Sequence, residues 1–165
     1  MIADTEKLVS VMREELAHYG ELLALLETQQ ELIVTRSAQG LWENIATISA
    51  HVPKIPLARR RREDQRLALA KILGLPATVT FRQLIVLLPA NYQPLLNALV
   101  EEINSLLFRA QRRLHQNHLL LSRSLDLMKQ TISRLFPSTA GNTYARSGGL
   151  KSPILPTSAI YETLI

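Results

Sequence analysis

The feature that most limits what this chain can become is a long run of apolar residues spaced three and four apart through its second half. Leu99, Ile103, Leu106, Ala110, Leu114, Leu121, Leu125, Met128, Ile132 and Leu135 keep that spacing, which puts them on one stripe of an α-helix. A helix from about Tyr92 to Phe136 is on the order of 65 Å long at ~1.5 Å per residue. Such a stripe stays dry only against other long helices. The fold class is therefore all-α, an elongated antiparallel bundle with coiled-coil-like packing. Asn117 falls on the same stripe, where a polar side chain costs stability and fixes register or partner choice.

The first half supplies the partners. Leu8, Met12, Leu16, Tyr19, Leu23, Leu26 and Ile33 form a second stripe, opposed by Arg13, Glu14, Glu21, Glu27 and Glu31 on a solvated face. Asp4 or Thr5 is placed to cap that helix. Ser37 to Gly40 reads as a turn, and Trp42, Ile45 and Ile48 as a second helix. Pro53 and Pro56 then predict a break or sharp kink, because an internal proline removes a hydrogen bond and costs about 3 kcal/mol. Helix resumes near Leu57 and stops at Gly74 and Pro76. Thr80-Phe81-Arg82-Gln83 is a capping box that starts a short helix ending before Pro89. The expected helices are about 4–36, 41–51, 57–73, 81–88 and 92–136, all in one domain over 1–136. From Pro137 the Ser, Thr, Gly, Asn and Pro content predicts a flexible tail over 137–165.

Composition narrows the function classes. Apolar residues make up 47% of the 165 positions and aromatics only 5%, so Leu, Ile, Val and Ala must fill the core. The absence of cysteine excludes disulfides, thiolate nucleophiles and Cys-ligated zinc. The start, Met1-Ile2-Ala3-Asp4-Thr5-Glu6-Lys7, lacks the basic-then-apolar pattern of a signal peptide. Leu84 to Leu88 is among the longest apolar runs and is too short to span a bilayer. The chain reads as cytoplasmic, with no membrane insertion.

Its net charge is +5, with much of the excess at Arg59, Arg60, Arg61 and Arg62. That run could grip phosphate, but no aromatics nearby offer base stacking. It reads instead as a solvated face paired with Glu63, Asp64 and glutamates of the first helix. Glu15-x-x-His18 matches half of a di-iron bundle motif. The required second copy is missing, which leaves a surface ion pair. His115 and His118 are three apart without a carboxylate to complete a metal site. The pairs Glu14–Glu15 and Glu101–Glu102 are sequence neighbours on helices and point different ways. No catalytic set, metal site or cofactor site emerges, and the chain reads as a non-enzyme.

Several features in order resemble the FlgN-like family of flagellar export chaperones. The first helix runs into Leu32-Ile33-Val34, and the chain restarts at Gly40-Leu41-Trp42-Glu43. The basic stretch leads to Leu73-Gly74-Leu75-Pro76. A Thr-started helix ends at Leu88-Pro89. The last helix carries Asn117-His118-Leu119-Leu120-Leu121, with Thr143-Tyr144-Ala145-Arg146-Ser147-Gly148 beyond it. The chain departs from the family at Leu114, where a second Asn is common, and at Pro53 and Pro56, where the helix is commonly continuous.

The resemblance implies an ATP-independent chaperone for type III secretion. It would bind C-terminal helical segments of hook–filament junction proteins, prevent their premature assembly and deliver them to the flagellar export gate. Leu121, Leu125, Met128, Ile132, Leu135 and Phe136 are then the expected client-binding strip, Asn117 the polar register residue and Tyr144 the residue for export-gate docking. The tail after Leu150 has no counterpart in the family; independently of the resemblance, its apolar residues Ile160, Tyr161, Leu164 and Ile165 are expected to fold back on the empty strip. A generic coiled-coil adaptor or structural protein is the alternative, and a basic helical nucleic-acid binder a more distant one.

Overall fold

Heptad spacing and proline together set the architecture. The computed structural model describes residues 1–135. Five helices follow in order: α1 (Ile2–Val34), α2 (Ala38–His51), α3 (Lys54–Ile72), α4 (Phe81–Leu87) and α5 (Gln93–Leu135). No strand occurs among the described residues. The chain divides into two units, Met1–Leu114 and the part from His115 onward.

Within the first unit, α1 buries Thr5, Leu8, Met12, Glu15, Tyr19, Leu22, Leu26 and Gln29. Their spacing alternates three and four, the period of a coiled-coil seam. The expected stripe took Leu16 and Leu23 in place of Glu15 and Leu22. Leu23 is buried beside the seam and Leu16 is half-buried. Thr5 does not cap the helix. Helix begins at Ile2, and the buried Thr5 hydroxyl donates to the Met1 carbonyl at 3.0 Å.

α1 ends in a left-handed turn. Arg36 has φ 56°, its N–H donates to Ile33 at 3.2 Å, and the Ser37 N–H donates to Leu32 at 3.0 Å. This pair of bonds closes the last carbonyls of the helix. α2 then starts at Ala38, so Gly40 lies inside the first helical turn and not in the connecting turn. A Cβ on Gly40 would stand 2.7 Å from Leu32 Cδ2, and the missing side chain lets α2 leave α1 closely.

α2 and α3 form one antiparallel arm against α1. Asn44 Nδ2 donates to the Leu25 carbonyl, and His51 Nε2 meets the His18 carbonyl. Gln65 Nε2 donates to the Asp4 carbonyl. The break falls at Val52–Pro53, where both residues keep right-handed helical angles (φ −49° and −62°). The buried positions Asn44, Ile48, His51, Ile55 and Ala58 hold the three-four alternation through it. Pro56 does not delay the restart to Leu57. It sits in the first turn of α3, where its missing N–H would have had no helical partner.

α3 ends at a left-handed glycine, Gly74 (φ 68°), with the Leu75 N–H donating to Ala70 at 2.9 Å. Arg66 ties the following loop down. It donates to the carbonyls of Ala77 (3.0 Å) and Val79, and it pairs with Glu63. α4 starts on the expected capping box. The Gln83 N–H donates to the Thr80 hydroxyl at 3.3 Å, and the Thr80 N–H donates to Gln83 Oε1 at 2.9 Å. Gln93 Nε2 donates to the Leu88 carbonyl at 2.8 Å and links the end of α4 to α5.

The part of α5 in the first unit buries Leu96, Leu99, Ile103, Leu106 and Ala110. It runs in the same direction as α1. The Tyr92 hydroxyl donates to Glu6 at 2.9 Å, and Arg113 reaches Glu27 at 3.6 Å and Gln30 at closer range. The first unit is thus an up-down-up bundle, with α2–α3 as the descending arm.

Candidate functional site

Beyond Leu114, α5 changes character. Asn117 is 1% exposed, a buried polar residue on the apolar stripe. Leu121 is half-buried. Leu125 (45%), Met128 (60%), Ile132 (54%) and Leu135 (68%) are all open to solvent. Their spacing of three, four and three puts them on one face of the helix. Leu119 and Leu127 are exposed as well. They lie off the expected strip, outside the three-four spacing of a single stripe.

Contiguous exposed apolar surface on a helix marks an interaction site more often than isolated exposed residues do. A face with this spacing accepts an amphipathic helix laid alongside it. Phe136 and Tyr144 lie outside the described residues, as does the segment holding Ile160, Tyr161, Leu164 and Ile165.

The basic run belongs to the scaffold. Arg61 pairs with Glu14, and Arg62 with Glu15. Arg62 also lies over the Phe81 ring, 5.7 Å from its centre. Glu15 was expected in a surface ion pair with His18. It is instead buried in the α1 seam, because a heptad position faces inward whatever residue occupies it. Burial raises the Glu15 pKa, and the nearby guanidinium groups of Arg62 and Arg59 oppose that rise. Arg59 and Arg60 remain exposed.

His18 meets His51 of α2, with ring centres 5.4 Å apart, and Glu21 stands beside them. No local sequence pattern joins these three, because His51 comes from another helix. His115 and His118 occupy exposed positions on α5.

Among the described residues no helix is long and apolar enough to cross a membrane. A family model described as FlgN protein matches residues 1–152. No curated protein and no solved structure matches the chain.

Proposed function

The chain belongs to the FlgN family of flagellar export chaperones, and on that footing we propose that it captures C-terminal helical segments of hook–filament junction proteins. It acts in the cytoplasm without ATP or catalysis. It keeps those subunits unassembled and delivers them to the flagellar export gate.

The observation that carries this reading is the exposed strip Leu125, Met128, Ile132 and Leu135, flanked by Leu121 and continued in sequence by Phe136. An amphipathic client helix seated there would bury apolar surface on both partners. Full burial of one such side chain contributes about 1.5–3 kcal/mol. Ordering the client offsets a large part of that gain, which keeps the complex releasable. Tyr144 is assigned to docking at the export gate, a step separate from client capture.

Calorimetry tests the reading directly. Peptides from the C-termini of hook–filament junction proteins should bind one to one with a negative heat-capacity change, the signature of apolar burial. Absence of binding by a folded chain would overturn the assignment. Tyr144→Ala should leave this binding unchanged and lower export in cells. Normal export by that variant would remove the docking role.

A further inference from the structure

Near the break in the descending arm, three metal-ligating side chains converge from two helices. His18 and Glu21 come from α1 and His51 from the last residue of α2. Their ligand atoms lie within 4.8 Å of one another. His51 is 2% exposed, while Glu21 stands at the surface and His18 between them.

The hydrogen bonding of His51 is the informative feature. Its Nε2 lies 2.9 Å from the His18 carbonyl oxygen. That oxygen can only accept, so Nε2 must carry the proton. In a neutral ring this leaves Nδ1 with a bare lone pair, 3.2 Å from Glu21 Oε2, which is also an acceptor. Nδ1 is buried without a hydrogen-bond partner. Two acceptors 3.2 Å apart with no hydrogen bond between them favour a cation held nearby.

A histidine whose second nitrogen donates to a backbone carbonyl has the orientation and tautomer of a metal ligand. Zinc–nitrogen and zinc–oxygen bonds of about 2.0–2.2 Å put neighbouring tetrahedral ligands roughly 3.3–3.6 Å apart. The Nδ1–Oε2 distance is close to that span. A turn of the part-exposed His18 ring completes the set. Glu14 also faces His18, with Oε1 4.0 Å from Nε2, but it is engaged by Arg61.

We propose that His18, Glu21 and His51 form a binding site for a divalent transition-metal ion of the zinc class, which clamps α1 to the end of α2. Three protein ligands leave the fourth tetrahedral position to water.

The test uses the full chain without a histidine tag, stripped with chelator and titrated with zinc and, separately, nickel. The expected result is saturable binding of one ion per chain and a higher melting temperature. Glu21→Gln and His18→Gln should each weaken binding at least about tenfold. Neither residue is deeply buried, so the metal-free variants should melt as the parent does. The double variant His115→Gln/His118→Gln should bind like the parent. Absence of saturable binding would overturn the proposal. Binding that survives both ligand variants, or that disappears with His115 and His118, would overturn it equally.

Discussion

Arg62 reaches from α3 to Glu15 in the middle of the α1 seam, its Nη1 3.1 Å from Oε1 and 3.0 Å from Oε2 of the carboxylate. Glu15 is 1% exposed and Arg62 about a quarter exposed, so the guanidinium keeps some contact with water while the carboxylate has none. An acid at a heptad core position is costly unless a cation meets it.

The pair predicts a pH-dependent, non-additive response. Arg62→Ala leaves a buried carboxylate without its cation and should cost about 1–3 kcal/mol at pH 7. Glu15→Gln alone should be far milder, because it removes the charge whose burial is unfavourable. The folded-state pKa of Glu15 is raised, so the folded chain holds a proton that the unfolded chain has lost between the unfolded value and the folded one. Stability from this group is therefore greatest below the unfolded value and declines as pH rises through that window. The Arg62→Ala penalty should shrink on acidification and largely vanish when Arg62→Ala is made in the Glu15→Gln background. Denaturant melts of the four chains at several pH values measure this cycle, and additive costs would show that the two side chains act independently.

Arg36 supplies a second prediction. Its φ of 56° puts a Cβ in the left-handed region, at a cost of roughly 1–2 kcal/mol. Gly74 fills the equivalent position after α3 without that cost. Arg36→Gly should stabilise the chain by about 0.5–1 kcal/mol, the gain being reduced by the extra freedom of glycine in the unfolded state. A shift in the urea midpoint at unchanged slope would report it.

These residues also show where sequence reading succeeds. The α4 capping box was legible because its partners, Thr80 and Gln83, are three residues apart. The length of α5 was legible because its period persists over many turns. Glu15 was misplaced because its partner lies 47 residues away, and hydropathy favours the neighbouring Leu16. A separation of 33 residues likewise hid His51 from His18. Pro56 was read as a breaker because the effect of proline depends on its place in a turn. The exposed strip was legible as a stripe, but only the accessibility of each side chain separates open positions from buried Asn117.

Arg66 makes a prediction about the loop before α4. Its guanidinium holds the carbonyls of Ala77 and Val79 together with Glu63, and Glu63 is pulled below its ordinary pKa by the hydrogen bonds from Arg66. Lysine cannot reproduce the forked geometry. Arg66→Lys should therefore cost about 1–3 kcal/mol through unpaired carbonyls. Amide exchange should rise first at Leu84 and Ile85, with α1 affected less. Uniform acceleration across the bundle would mean that the loop and bundle open as one cooperative unit.

The exposed strip of α5, the proposed client site, gives the last prediction. Leu125 and Met128 are exposed, so Leu125→Asp and Met128→Asp should change stability by no more than about 0.5 kcal/mol. Each would force a client helix to bury a carboxylate without a cation, a penalty of several kcal/mol. Client-peptide binding should fall below detection in either variant, with far-UV circular dichroism unchanged. Leu125→Met, which conserves volume and polarity, should retain most of the affinity. Binding that persists in both aspartate variants would place the client elsewhere on the chain, whereas loss in Leu125→Met as well would point to a tightly shaped pocket at this position.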